Sequence, residues 1–366
     1  MLLKQCIFRF AICFLVAENA CQAADPTADQ QYMLELVNRM RMQPAAELEK
    51  LVNMSSPGVW AAQKSDHLTV ASALEFYAVN AAVLNSQWST LTAAPPLAWN
   101  NTLALASSTY SDLMVSRDIQ AHGLDGLTPG SRSVSFGYSS FWGDAAQTLF
   151  ATSSDVSHAH AALAIDWGPD GGAGTGIQPG ATHRVALMDP LYKEIGIGFQ
   201  TIAIPITNLD VSGPLVVTEH LANARRFNGV SIVSDAILTG SIFDDSVFDD
   251  DFYTPGEGVS GALLFVYDQA TGNLVASGQS NSAGGFNIAL TGLTDGQTYR
   301  VEAPQTGQNA QTFTLTSRQE NYGTVSVPEW TTFYDNAYAS FTVVPEPGGA
   351  ACLFFAGLAA LTRRRR

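Results

Sequence analysis

Apolar residues recur at helical spacing early in the chain and at alternating spacing late in it. Met33, Leu36, Val37 and Met40 fall at i, i+3, i+4 and i+7, with Asp29 placed as N-cap and Pro44 as terminator. Residues 73–88 sustain a second helical pattern. A third begins after Pro95-Pro96, with Leu103, Ala106, Tyr110, Leu113 and Met114 on one face. Between 120 and 143, glycine, serine and Asp125-Gly126 break every period, which predicts loop. Ile195-Gly196-Ile197-Gly198-Phe199 and Leu215-Val216-Val217-Thr218 alternate as strands do. Helices followed by strands predict an α+β domain over residues 29–220. Beyond residue 235 the helical periods vanish. Short strands are predicted at 238–243, 262–267, 286–290, 298–302, 311–315 and 323–327, with turns such as Thr271-Gly272-Asn273 and Thr294-Asp295-Gly296 between them. That spacing predicts an antiparallel β-sandwich over 235–328, with 221–235 and 329–343 as linkers.

Charge narrows the function classes. The chain has 366 residues, 18 Lys+Arg against 33 Asp+Glu, and a formal net charge of −15. Lys4, Arg9 and Arg363 to Arg366 lie at the two ends, so the body is more acidic still. Nucleic-acid binding needs a basic face to neutralise phosphate, and this body has none to offer. Cysteine is confined to Cys6, Cys13, Cys21 and Cys352, so the body holds no disulfide, thiolate metal site or cysteine nucleophile. Both domains must rest on apolar cores or bound metal.

The ends read as addresses. Lys4 and Arg9, an apolar run over 10–17 and small residues around Ala20 to Ala24 have the order of a signal peptide, placed at residues 1–23 and cut by signal peptidase. At the other end stand Pro345-Glu346-Pro347, an apolar run over 348–361, and Arg363, Arg364, Arg365 and Arg366. The run is shorter than the roughly 17–25 residues of a spanning helix. The order of the three parts resembles the PEP-CTERM sorting signal, here residues 344–366. That resemblance implies a partner of the exosortase type, transient inner-membrane anchoring with the arginines inside, and delivery to the cell envelope or exterior.

All six histidines fall in the first domain: His67, His122, His158, His160, His183 and His220. A single histidine is more often a hydrogen-bonded structural residue than a ligand. Two stand in informative surroundings, His122 at the Gly123-Leu124-Asp125-Gly126 turn and His183-Arg184 ahead of the glycine-alternating strand. Leu36-Val37-Asn38-Arg39, Pro96-Leu97-Ala98-Trp99-Asn100, the His122 turn, Gly143-Asp144, and His183-Arg184 through Glu194-Ile195-Gly196-Ile197-Gly198 occur in the order of the CAP superfamily. The chain resembles the bacterial branch of that group of cysteine-rich secretory, antigen 5 and pathogenesis-related (SCP-like) proteins. The resemblance implies an α-β-α sandwich and a cleft of two histidines and two acids. By motif the histidines are His122 and His183, the first acid is Asp144, and Asp170 is a looser candidate for the second. The family's Gly-Glu-Asn has become Gly143-Asp144-Ala145, one methylene shorter and without its Asn. Two imidazoles and two carboxylates suit a divalent cation such as zinc, or acid–base work. No Gly-x-Ser-x-Gly and no His-Glu-x-x-His accompanies them.

The second domain opens on the one dense acidic run, Asp244, Asp245, Asp249, Asp250, Asp251 and then Glu257. A solvated turn is one reading. Calcium, held by Asp245, Asp250 and Glu257, is the other. Ser246 to Glu257 is an EF-hand-length span, although Ser246 and Phe248 stand at positions where Asp or Asn is wanted. Gly240-Ser241-Ile242-Phe243-Asp244-Asp245, Thr254-Pro255-Gly256-Glu257-Gly258, Gly284-Gly285-Phe286 and Gly296-Gln297-Thr298-Tyr299 resemble the B-type (SD-repeat) modules of bacterial adhesins and the carboxypeptidase-regulatory-like modules. That implies an Ig/prealbumin-like presentation module. The self-crosslinking of some relatives needs a lysine, and residues 235–328 contain none.

The sequence therefore predicts a CAP-type α-β-α sandwich, then an all-β sandwich, in an exported bacterial protein. Its leading function is non-enzymatic binding of an extracellular polysaccharide, protein or lipid, with zinc at the cleft and calcium at the acidic loop as candidate ions and no organic cofactor. A metal-assisted, protease-like hydrolase using His122 and His183 is the alternative, and an extracellular lipid-binding module a third.

Overall fold

A computed structural model describes residues 25–56, 59–61, 68–202 and 212–343. The signal-peptide and sorting-tail expectations (Pro345, Glu346, Pro347 and Arg363 to Arg366 among them) and His67 lie outside the described residues.

The first layer opens with α1 (Ala28–Met42) and α2 (Pro44–Leu51). Thr27, not Asp29, caps α1: its hydroxyl accepts from the Gln30 N–H while the Gln30 side chain accepts from the Thr27 N–H, a reciprocal capping box. Pro44 ends α1 and begins α2, since a first-turn proline loses no helical bond. A short pair, β1 (Asn53–Ser56) and β2 (Val59–Ala61), follows. The expected single helix at 73–88 is two, α3 (Leu68–Phe76) and α4 (Ala81–Trp88). Ala78 turns left-handed between them at φ 51°, and Asn80 caps the second.

The central sheet consists of β3 (Ala98–Trp99), β4 (Trp142–Ser153), β5 (Glu194–Thr201) and β6 (Leu215–Ala224), in the order β3-β5-β6-β4. One face carries α5 (Asn101–Arg117) and α6 (Pro129–Ser135), the latter inside the segment expected as loop. The other carries α1, α7 (Val156–Ile165) and α8 (Thr182–Met188), and Met33, Val37, Leu163, Leu187, Ile197 and Val217 join one core there. The architecture is thus a helix–sheet–helix sandwich.

Two local devices tie the layers. Buried Asn38 of α1 exchanges hydrogen bonds with the backbone of Leu97, donating at 3.0 Å and accepting at 2.7 Å, which fixes the start of β3. Gly196 and Gly198 face α5 so closely that an added Cβ would lie 1.9 Å from the Ala104 nitrogen and 2.1 Å from that of Ser108. Ser107 and Ser111 then donate to the carbonyls of Gly196 and Gly198 at 2.7 and 3.0 Å. The alternating glycines are the price of a backbone-to-backbone approach.

After β7 (Arg226–Phe227) and β8 (Ile232–Ser234) come β9 (Ile237–Phe243), β10 (Leu263–Asp268), β11 (Leu274–Gln279), β12 (Gly285–Ala289), β13 (Thr298–Glu302), β14 (Gln311–Thr314), β15 (Ser317–Asn321), β16 (Trp330–Tyr334) and β17 (Ala337–Thr342). Sheets ordered β11-β10-β13-β14 and β12-β9-β17 face one another, with Leu238, Ile242, Leu264, Val266, Phe286, Val301 and Phe341 between them. Three corrections follow. The stretch 323–327 is the hairpin turn joining β15 to β16, with Val325 wholly exposed. Residues 329–343, expected as linker, supply β16 and β17. The pairing is not wholly antiparallel, because β17 runs parallel to β9, and β16 parallel to β8.

The two halves are knit together. Lys193, at the foot of β5, donates to the carbonyls of Ser234, Asp235 and Tyr334. Asn336 donates to Pro96 and Lys193, and Asn287 to Trp99. Tyr338 of β17 donates to buried Glu35 of α1 at 2.5 Å.

Candidate functional site

His122 follows α5 on one side of the sheet and His183 begins α8 on the other, yet their rings lie 6.2 Å apart, tilted by 32°. They meet because β4 is the sheet's outer strand. Each ring is anchored through Nδ1. His122 bonds the Gln147 side-chain oxygen at 2.8 Å, and His183 bonds Asp166 at 2.8 Å. The other Asp166 oxygen accepts the His183 backbone N–H at 2.8 Å, so one fully buried carboxylate fixes both ring and helix start. A carboxylate on Nδ1 sets the tautomer and makes Nε2 the reactive nitrogen. His122 is exposed and His183 nearly buried, so the pair forms a site with one open side.

The motif-assigned acids stand elsewhere. Asp144 lies three residues before Gln147 on β4, which at about 3.3 Å per residue is some 10 Å away. It meets Asn223 at 3.4 Å and the Tyr322 side chain from the β15–β16 hairpin, and burial raises its pKa. Asp170 accepts the N–H groups of Gly172, Thr175 and Gly176 and so shapes the glycine-rich loop after Trp167. Those backbone donors hold its pKa at about 2. The acid that does meet His183 is Asp166, left-handed at φ 61° as the C-cap of α7.

Behind the histidines β6 presents opposite faces. Glu219 points to the helical core that holds Val217 and Leu221, fully buried. Thr148 donates to one oxygen at 2.5 Å, and the other finds no partner among the described residues. Burial pushes its pKa up to about 7, against smaller opposing effects of Thr148 and His183. His220 points toward α5. Its Nδ1 meets Ser107 at 2.9 Å and its Nε2 the Arg132 guanidinium at 3.0 Å. Burial first, and Arg132 second, bring its pKa down to about 3, so it stays neutral and accepts from Arg132. Arg132 also grips Asp125 with two bonds of 2.6 and 2.7 Å and lies 4.1 Å over the Tyr110 ring. Tyr110 in turn donates to Ala121 and accepts from Leu124. This buried network holds the turn that presents His122. The spacing of α6 had been hidden by its serines and glycines, and His220 gave no sign beyond lying in an alternating strand.

Among the described residues the remaining two histidines, His160 and His158, are structural. His160 meets buried Glu47 at 3.0 Å beside Arg39. Burial raises the Glu47 pKa, but the bonds from His160 and Arg39 outweigh it and hold it at about 2. His158 bonds Ser153 and lies 5.3 Å from the Trp167 ring.

In the acidic loop, Glu257 is 1% exposed. One of its oxygens accepts the N–H groups of Val247 (3.0 Å) and Phe248 (2.9 Å), the other that of Thr254 (2.7 Å). Asp245 accepts from the backbone of Asp250 and Asp251 at 3.3 Å each. Glu257 thus organises the loop from inside, whereas Asp245 and Asp250 are half-buried. Among the described residues no group of three His, Cys, Asp or Glu converges as a metal site. His122 and His183 bring two imidazoles together, one protein ligand fewer than the three of an open zinc site.

Comparison with known proteins places the first half of the chain. Residues 34–203 match the family model described as CAP, cysteine-rich secretory protein family. Among solved structures, an extracellular protein containing an SCP domain from Bacillus anthracis str. Ames is 15% identical, covering 44% of each chain at a TM-score of 0.26. This chain therefore spans under half of that protein. An outer surface protein of Borrelia burgdorferi is also 15% identical, over 42% of this chain and 94% of its own, at a TM-score of 0.25. No curated protein matches. The match over 34–203, which spans the elements from α1 through β5, makes that segment a CAP domain.

Proposed function

We propose that this is an exported, non-enzymatic binding protein of the envelope or extracellular matrix. In this reading the CAP cleft captures its ligand through a divalent cation shared by His122 and His183. One observation carries the reading: both imidazoles are locked through Nδ1, to Gln147 and Asp166, with their rings 6.2 Å apart. Two preoriented Nε2 atoms give a cation such as zinc a foothold and leave its remaining positions to an incoming donor group. The tail and leader motifs support export and sorting, and the adhesin-like strands support display at a surface.

The Asp166–His183 pair also favours a second reading, since a base oriented by a carboxylate is the arrangement of acid–base catalysis. A hydrolase of this kind would draw its nucleophile from metal-bound water. The two readings separate on one protein sample. Zinc is titrated by calorimetry into the wild type and into the His122→Ala, His183→Ala double variant. We expect one zinc per chain, lost in the double variant with little change in melting temperature. Wild-type stoichiometry in the double variant would sink the cleft assignment. Peptide or ester turnover that disappears with the histidines would establish the hydrolase in its place. In the same titration, calcium binding abolished by Asp245→Asn, Asp250→Asn would assign a cation to the acidic loop.

A further inference from the structure

Two hairpins of the four-stranded sheet β15-β16-β8-β7 end side by side. β7 and β8 are antiparallel, with Phe227 paired to Ile232, and turn through 228–231. β15 and β16 are antiparallel, with Asn321 paired to Trp330, and turn through 322–329. Because β16 runs parallel to β8, Thr331 beside Ile232, both turns leave the same end of the sheet on strands about 4.8 Å apart. That end is apolar and open to water. Val230 is 89% exposed, Val327 72%, Phe227 65% and Trp330 55%, and Val325 is wholly exposed. No charged residue occurs from Phe227 to Ser234 or from Asn321 to Pro328, in a chain of net charge −15. Clustered exposed apolar side chains of this kind mark a contact with a protein or a membrane.

Three features select between those partners. The turns close their own backbone hydrogen bonds. In the shorter one the N–H groups of Val230 and Ser231 donate to the Asn228 side-chain oxygen, and that of Asn228 to the Ser231 carbonyl. In the longer one Gly323 and Glu329 donate to the Asn321 side-chain oxygen, Thr324 to the Val327 carbonyl and Val327 to the Thr324 hydroxyl. A medium without water demands such closure. Trp330 stands where the longer turn enters the sheet, and tryptophan favours the headgroup level of a bilayer. The patch is also small: five apolar side chains fall well short of the roughly 20–30 residues a side of a standard protein interface. A second copy would add its own −15 of charge to the contact, whereas an uncharged bilayer surface adds none. The mount is rigid. Arg225, just past β6, lies between the rings of Phe141 and Tyr322 at 4.4 and 4.3 Å and pairs with Glu329, which fixes the longer hairpin to the central sheet.

We infer that these two turns dock the protein on a lipid bilayer whose surface carries no net charge, with Val230, Val325 and Val327 among the acyl chains and Trp330 at the headgroups. None of these residues belongs to the histidine cleft, so the inference stands apart from the function proposed for it.

The test uses the whole exported protein and phosphatidylcholine vesicles with brominated acyl chains, which quench tryptophan fluorescence at close range. The chain holds six tryptophans, so the Trp330 signal is read as the difference between wild type and Trp330→Phe. We expect that signal to be quenched by more than half, while Trp330→Phe sediments with the vesicles as the wild type does. The Val230→Asp, Val325→Asp double variant should lower the quenching at least fivefold. Both valines are exposed on turns, so its melting temperature should match the wild type. Trp330 that stays bright overturns the proposal even if the protein sediments with the vesicles, because another segment then holds the bilayer. So does quenching that the two aspartates leave unchanged. A dimer in sedimentation equilibrium without vesicles, dissolved by the same aspartates, would assign the turns to a second copy and overturn it as well. His122→Ala, His183→Ala should quench as the wild type does, and a loss there would move the lipid to the other cleft. Failure of the zinc experiment leaves this result untouched, so the two readings fail separately.

Discussion

Replacing Glu257 by alanine strips the acidic loop of the group around which it folds. Three backbone N–H donors lose a charged acceptor at once, two of them at 2.9 and 3.0 Å and one at 2.7 Å. Hydrogen bonds to charged groups contribute about 1.5–3 kcal/mol each. The loop is partly exposed, so water replaces some of that, and a loss of about 3 kcal/mol is expected. At about 2.1 cal/mol/K of unfolding entropy per residue, that corresponds to a fall of roughly 4 °C in melting temperature for a chain of 366 residues. The loss has a local signature as well: cleavage by a nonspecific protease should concentrate at 244–257. Glu257→Gln gives an intermediate result. Its amide oxygen still serves Val247 and Phe248, but its NH2 faces the Thr254 N–H, donor against donor. Both variants should behave alike in calcium and in chelator, because the carboxylate's partners are backbone groups. If chelator alone makes the wild type as protease-sensitive as Glu257→Ala, the loop is held by a cation and the reasoning is refuted.

Two further outcomes follow from the central sheet. Glu219 has a folded pKa near 7 against an unfolded value near 4.5. The folded state therefore keeps a proton that the unfolded chain has lost, and stability should decline by about 3 kcal/mol as pH rises between those values. Glu219→Gln should be near neutral at pH 4.5 and stabilising at pH 8 in urea melts; an equal effect at both pH values would contradict the burial account. Gly196→Ala places a methyl 1.9 Å from the α5 backbone, which must shift. It should cost at least as much as overpacking a core, about 3 kcal/mol, and a circular-dichroism melt unchanged from wild type would show that α5 can move away freely.

The histidine pair was legible because each residue sits in a motif with its own order along the chain, and structure brings those motifs together. The acids were not, because a carboxylate's partner depends on which way its strand or cap faces. Asp144 is on β4, a strand not expected from the sequence, three residues from Gln147, and Asp170 serves the backbone of its own glycine-rich loop. Asp166 reaches His183 only because a left-handed cap turns it inward, a conformation that the string Asp166-Trp167-Gly168 hints at but does not specify. In the β-module, alternation was visible in Trp330-Thr331-Thr332-Phe333-Tyr334 and Ala337 to Thr342, but Pro328 and Asn336 made the stretch read as linker. The converse error at 323–327 came from β-branched residues that turn out to line a hairpin tip. Core alternation and exposed β-propensity look alike until burial is known.

The last strand bears on how the molecule is divided. β17 inserts beside β9, and its Tyr338 supplies a donor to the buried carboxylate of Glu35, deep in the first helix of the CAP domain. Asn336, just ahead of it, ties the carbonyls of Pro96 and Lys193 at the root of the central sheet. A fragment cut at the boundary of the family match would leave the buried Glu35 carboxylate without that hydroxyl. Homology boundaries and folding boundaries thus fall in different places here. During synthesis the amino-terminal half must wait, partly unsatisfied, until about 300 residues later in the chain its final strand arrives.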